Sequence, residues 1–272
     1  GQFFTPDYTA KFMVEFANYI PTNKKLTILE PGAGIAILSA LLVEHLINFD
    51  IVEEIELTCY EIDESIIEYT ESVLIALDFL CQKKNKKFTY MIMQHDFILS
   101  NKDVFSNTGN SFKKYDIIIS NPPFFKLSVN DERVKLAENL IHGLPNIYNI
   151  FFYISTKLLK DNGKLLFLIP RSFCSGSHYK LIREDFIDSL KLLKIHLFSS
   201  EEKIFHSHSV LYESVIVYAE KSIPSNVYNI NISHSNNMKE KVNINYNCNF
   251  SLTENIIELP TNEKDILVLN KI

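Results

Sequence analysis

Short, nearly uninterrupted apolar runs recur along this chain, each bounded by turn-forming residues and separated from the next by enough sequence for a helix. The run from Ile28 to Glu30, the run from Asp116 to Ser120 and the run from Leu165 to Ile169 show the pattern. A strand reads this way when both of its faces are covered, and both faces are covered when helices cross between parallel strands. Strands are therefore expected at 26–30, 55–61, 88–94, 115–120, 164–169, 194–198 and 213–219, with helices at 9–19, 35–48, 64–80, 146–160 and 178–192. Residues 199–212 hold too little helix for another right-handed crossover, so the seventh strand is expected to run antiparallel to its neighbours. The expectation is an α/β fold: a doubly wound, Rossmann-like sheet of seven strands, mostly parallel, with one reversed strand near an edge.

The chain has 272 residues, 46% of them hydrophobic and 22% charged, which suits one large domain or one domain with an appendage. No apolar run approaches the roughly 18 to 20 residues of a membrane span, and the opening decapeptide lacks a charged-then-apolar leader pattern. A cytoplasmic protein without membrane contact is expected. Cys59, Cys81, Cys174 and Cys248 show no CxxC spacing, so free thiols in a reducing compartment are expected, with neither zinc nor disulfides. His206 and His208 have no acidic or cysteine partner near them in sequence and read as surface residues, so no metal is expected.

The net charge of −6 argues against a nonspecific polyanion binder. Its distribution is uneven: −7 over residues 1–120, +2 over 121–222 and −1 over 223–272. That asymmetry suits a first half that holds a small molecule and a second half that approaches something anionic. After Lys221 the texture turns rich in Asn and Ser. A boundary is expected near Ser222, with residues 1–221 as one domain and 222–272 as the start of a further, truncated region.

Four constellations carry chemistry. Glu30-Pro31-Gly32-Ala33-Gly34 ends the first strand and leads into a helix. Glycines there let backbone approach a ligand at the carboxyl edge of the sheet, although a plain tight turn would look the same. The third glycine of a dinucleotide fingerprint is absent, since position 37 is Ile. Glu61-Ile62 ends the second strand, where a carboxylate can accept both ribose hydroxyls of an adenosine-containing ligand, while Asp63 reads as a helix cap. Asp96-Phe97 follows the third strand and offers an acceptor for an adenine amine and a ring to stack on it; a capping role for Asp96 is equally open. Asn121-Pro122-Pro123-Phe124 follows the fourth strand. Its prolines remove two donors and stiffen the backbone, leaving the Asn121 side-chain oxygen and the Pro122 carbonyl as paired acceptors for one exocyclic amine, with Phe124 as a stacking face. The bland alternative is a rigid corner with an aromatic plug.

In order and content these motifs resemble the amino-DNA methyltransferases, in the group that modifies N6 of adenine and places cofactor motifs first, NPP[YFW] next and target recognition last. The resemblance spans about residues 1–221. It implies the sheet type of S-adenosylmethionine-dependent methyltransferases, with S-adenosylmethionine as cofactor and double-stranded DNA as partner. It also implies a fused or separate target-recognition or endonuclease part. Residues 1–6 resemble the motif that contacts the methionine portion of the cofactor, which implicates Thr5 and Pro6. Residues 30–34, Glu61, Ile62, Asp96, Phe97 and Asn121 take the cofactor-binding places, and Asn121, Pro122, Pro123 and Phe124 the catalytic motif. Phe205 falls where the family carries an apolar residue against the extruded base, beside Phe124. The stretches 170–176, 195–198 and 210–216 are similar to restriction-modification methylases. A methyltransferase acting on RNA bases or protein glutamine, and a methylase-like module of a restriction or specificity enzyme, remain open alternatives.

Overall fold

The computed structural model describes residues 4–106, 112–140, 146–198, 214–222, 228–235 and 242–248, together with 256–257, 259–260 and 265. In chain order these build α1 (Asp7–Ala17), β1 (Lys25–Pro31), α2 (Ile37–Leu46), β2 (Glu54–Tyr60), α3 (Glu64–Lys83), β3 (Lys87–Met93), α4 (Phe97–Ser100) and β4 (Tyr115–Ser120). There follow α5 (Glu132–Leu136), α6 (Ile147–Lys157), β5 (Leu159–Pro170), α7 (Lys180–Ser189), β6 (Leu190–Phe198), β7 (Ser214–Lys221), β8 (Tyr228–Ser235) and β9 (Val242–Cys248).

The strands form one sheet in the order β3-β2-β1-β4-β5-β7-β6-β8-β9. Strands β1 to β5 pair in parallel, and β7 lies antiparallel between β5 and β6. The seven expected strands are all present, and the reversed one among them is the seventh, inserted between β5 and β6. The sheet has nine strands instead of seven. Beyond Ser222, β8 pairs in parallel with β6 and β9 closes antiparallel on β8, because the unpaired side of β6 is a free row of backbone donors and acceptors. Alternation sorts the strand residues onto two faces. Ile28, Ile117, Ile119, Leu166 and Leu168 meet α1, α2 and α3 on one side; Leu29, Ile118, Leu165, Phe167 and Ile169 meet α4, α6 and α7 on the other.

Boundaries shift from the sequence expectation at several elements, most where β5 and β6 begin earlier, at Leu159 and Leu190, than the expected 164 and 194. The helix expected to end at 160 ends at Lys157, since Leu159 already pairs with Tyr115. The helix expected to reach 192 stops at Ser189, since Leu190 and Leu192 turn inward with the period of a strand and pair with Lys221 and Ala219. In both places sheet pairing outweighs local helix periodicity.

β1 and β4 are further tied by a side chain. Asp116 Oδ2 accepts from the backbone N–H and the hydroxyl of Thr27, each at 2.7 Å, and from Lys160 Nζ at 2.8 Å. Removing the carboxylate strands a buried N–H, whereas Lys160 is well exposed. Asp116→Ala should therefore lower stability by about 2–3 kcal/mol in urea unfolding, against under about 1 kcal/mol for Lys160→Ala. Equal losses would show that the ion pair, not the Thr27 bonds, carries the effect.

Candidate active site

The order β3-β2-β1-β4-β5 reverses direction between β1 and β4, and the crevice beyond their carboxyl ends is where open α/β sheets hold ligands. A cleft of about 340 Å³ lies there, large enough for a small-molecule ligand. Its wall brings together ten of the residues expected from sequence: Gly32, Gly34, Glu61, Ile62, Asp96, Phe97, Asn121, Pro122, Pro123 and Phe124. They come from four strand ends and run from Gly32 to Phe124, so the sheet assembles them.

The glycine turn abuts the proline corner. Gly32 sits at φ +68°, and a Cβ added there would lie 3.3 Å from Phe151 Cε1 and 3.6 Å from Pro123 Cδ. Gly34, at φ +55°, lies beneath the Phe4 ring. Glycine is required at both positions by conformation, and at Gly32 by space as well. Below the corner, Ser120 Oγ donates to the Pro31 carbonyl at 2.7 Å, joining the ends of β4 and β1.

Three carboxyls lie at or just past the ends of the first three strands and meet different fates. Glu30 does not reach the cleft wall. It is buried, and its Oε2 accepts from Ser39 N at 3.0 Å, an otherwise unsatisfied donor in the first turn of α2, a helix with no side-chain cap of its own. Burial pushes its pKa up to about 8. Glu61 is also largely buried yet lines the cleft, accepting from Gly34 N and Asp63 N at 2.8 Å each. Asp96 takes the capping role weighed from sequence, its Oδ1 accepting from Ile98 N and Leu99 N, and its Oδ2 lies 3.4 Å from Arg133 Nη1 on the cleft side.

Pro31 and Ala33 also stay off the wall, acting through backbone; Ala33 N donates to the Tyr60 carbonyl at 2.8 Å. The Pro6 carbonyl accepts from Thr9 N and Ala10 N to start α1. Thr5 stands behind the cleft and accepts from Asn121 Nδ2 at 3.0 Å. Phe97 packs between Tyr60 and Phe151, with ring centroids 5.1 and 5.0 Å away, so most of its face is spent inside the protein. Phe124 is half-buried and edge-on to Tyr148. Phe205, with residues 1–3 and 199–213, lies outside the described residues.

The Asn121 amide lies on the wall where the ends of β1 and β4 meet. Its nitrogen is engaged by Thr5, while its Oδ1 is buried with no hydrogen-bond partner. An orphaned buried acceptor costs on the order of 1–3 kcal/mol, and such atoms in native folds signal an absent ligand group or a functional strain.

Arg133 was not legible in the sequence. It forks onto Asp131 at 2.8 and 2.6 Å, which holds the Asp131 carboxyl below its ordinary range, and reaches Asp96 across the cleft rim. Nothing in the order Asp131-Glu132-Arg133 distinguishes this arginine from a solvated charge. Phe4, Tyr60, Asp63, His95, Phe125, Ile147 and Phe151 complete the wall, and the last two arrive on α6 from a distant part of the chain. Among the described residues no group of histidines, cysteines and carboxylates could hold a metal ion, and no helix is long and apolar enough to cross a membrane. Cys59, Cys81 and Cys174 are free and buried. Burial pushes the Cys174 thiol up to about 12, so it is no nucleophile.

The fold is of the S-adenosylmethionine-dependent methyltransferase type. Residues 35–205 match the family model described as Eco57I restriction-modification methylase, and the chain belongs to that family. It is 31% identical to the type II methyltransferase M.BsuBI of Bacillus subtilis over 86% of this chain and 46% of that protein. With the type II methyltransferase M.PstI of Providencia stuartii it shares 29% identity over 81% of this chain and 43% of that protein. The chain thus spans just under half the length of these relatives. In structure it is similar to a Listeria monocytogenes protein assigned to the class I S-adenosylmethionine-dependent methyltransferases, with a TM-score of 0.64, 19% identity and coverage of 88% of this chain and 68% of the other.

The inward Glu30 makes stability depend on pH. It is neutral in the fold up to about pH 8 but ionises near 4.5 when exposed, so the folded chain binds more protons across that window. Stability should fall as pH rises from about 4.5 to about 8, by on the order of 1.4 kcal/mol per unit at most, with no further loss from this group above it. In urea unfolding across pH 5 to 9, Glu30→Gln should gain on the parent chain up to about pH 8 and then hold level. A constant difference at every pH would mean that Glu30 stays ionised in the fold.

Proposed function

We propose that this chain carries the catalytic unit of a DNA methyltransferase that transfers a methyl group from S-adenosylmethionine to N6 of an adenine extruded from double-stranded DNA, within a restriction-modification system. The orphaned Oδ1 of Asn121, buried in a cleft shared with the glycine turn, is the observation that carries this reading. An exocyclic amine has two protons to give, and the corner supplies two acceptors, the Asn121 amide oxygen and the Pro122 carbonyl. Holding both protons turns the nitrogen lone pair, ordinarily delocalised into the ring, toward the donor side of the cleft.

The cleft fits the cofactor. Gly32, whose missing side chain lets Phe151 and Pro123 pack against the turn, lines the cleft with its backbone. Glu61 would take the ribose hydroxyls, Asp96 the adenine amine, with Ile62 and Phe97 flanking the ring, and Gly34 would face the methionine end, with Thr5 behind the wall. Glu61, Asp63 and Asp96 also place negative charge around the wall, which favours a cationic ligand. When bound, the cofactor supplies an activated methyl group on a sulfonium, so no metal and no covalent enzyme intermediate is required.

The protein's own part is positional. Unstacking the base costs a few kcal/mol, and Phe124 at the cleft mouth returns part of it by stacking. Asn121 and Pro122 fix the amine, and their bonds strengthen as positive charge grows on N6 during attack on the methyl carbon. Amide oxygens are weak bases, so the surplus proton leaves to water after transfer. We assign residues 222–272 to the start of a target-recognition region, joined to the catalytic unit through β8 and β9, which extend its sheet.

Full-length protein should be incubated with tritiated cofactor and with duplex DNA from a host lacking DNA methylation, transfer RNA or release factor, and labelled DNA digested to nucleosides. Label is expected in DNA alone, as N6-methyladenine. N4-methylcytosine would overturn the base assignment, and label confined to RNA or protein the substrate class. Asn121→Ala should lower the rate at least ~100-fold with cofactor affinity retained, and Glu61→Ala should weaken cofactor binding by ~10-fold or more in calorimetry.

A further inference from the structure

We propose that Thr5 is a positioning residue for methyl transfer: its hydroxyl accepts from Asn121 Nδ2 and restrains the amide with Oδ1 toward the substrate amine. This rests on the amine-transfer reading above and adds to it the contact that holds the acceptor in place. An asparagine amide is nearly symmetric in shape, and its two orientations differ mainly in what each end meets. With Nδ2 donating to Thr5 Oγ1 at 3.0 Å, Oδ1 is left on the other side, buried and unpaired. A half-turn of the amide would present two donors to an amine that is itself a donor, and the site could not hold it.

The hydroxyl has the rigidity this task needs. Threonine is branched at Cβ and stiff about χ1, and a residue before proline is confined to extended backbone. Thr5 meets both conditions because Pro6 follows it. Pro6 in turn starts α1, with its carbonyl taking Thr9 N and Ala10 N at 3.0 Å. The far end of α1 is fastened to the sheet, where Lys194 Nζ of β6 donates to the carbonyls of Phe16 and Ala17 at 3.0 Å each. The Phe12 and Phe16 rings pack on His196 of the same strand. The Thr5 hydroxyl is therefore placed by the docking of a whole helix, and it meets Asn121 from 116 residues away in the chain.

The test compares Thr5→Val, which keeps the branched shape and loses the hydroxyl, with Thr5→Ser, which keeps the hydroxyl. In full-length protein under single-turnover conditions, with tritiated cofactor and duplex DNA from a methylation-free host, T5V should slow transfer by ~10- to 100-fold and T5S should restore most of the rate. Cofactor affinity by calorimetry should change far less than the rate in T5V. A carboxylate presents oxygen either way round, so the T5V penalty should shrink in the N121D background. T5V transferring at the parent rate would overturn the proposal. So would a loss of cofactor affinity matching the loss of rate, since Thr5 would then be a cofactor contact only. If N121A also keeps the parent rate, the amine-transfer reading itself fails; if N121A is inactive and T5V is not, only the role of Thr5 does.

Discussion

The hydrogen bond from Ser120 Oγ to the Pro31 carbonyl, 2.7 Å long and buried, is the fastening on which the site depends. It joins the last residue of β4 to the last residue of β1, and the next residues along each strand are Asn121 and Gly32. The strand order reverses between these two strands, so the helices that follow them diverge and leave a crevice. With the strand ends fastened, the glycine turn and the proline corner are parts of one rigid body. The spacing between a ligand on the turn and an amine at the corner is then a property of the sheet. Catalysis by orientation requires that, because it tolerates little positional error.

Polar groups around the crevice are divided between holding the fold and facing a ligand, and sequence position does not reveal which does which. Glu30 lies within the end of β1, Glu61 just past β2 and Asp96 three residues past β3; Glu30 turns inward to satisfy α2, and Asp96 gives one oxygen to α4 and the other to the cleft. Glu61 spends both oxygens on backbone N–H groups while still lining the wall. The cause is helix termini, which leave donors unpaired wherever no local cap exists. α2 has none, and the nearest buried carboxyl is taken for it.

Much of what was legible in the sequence was local. The apolar runs, the glycine pair and the Asn-Pro-Pro corner are each contiguous, and each predicts a position at the carboxyl edge of a parallel sheet because strand polarity and right-handed crossovers leave little choice. Arg133, Phe151 and the bond between Thr5 and Asn121 were hidden for the opposite reason. Arg133 belongs to the site only because α5 folds back to Asp96, and Phe151 only because α6 packs beneath Gly32. Strands β8 and β9 also lay outside the expected sheet, since short alternating Asn-rich segments declare no partner until the open side of β6 is in place.

The sequence by itself determined the class of sheet, the order of its first seven strands along the chain and the residues that end them, because side-chain periodicity and turn chemistry act over a few residues. Only the tertiary structure decided which of those end residues face the cleft, and that the Asn121 oxygen is the one left unpaired. Those outcomes depend on packing between segments a hundred residues apart, and burial makes every donor and acceptor compete for the partners that folding brings within reach.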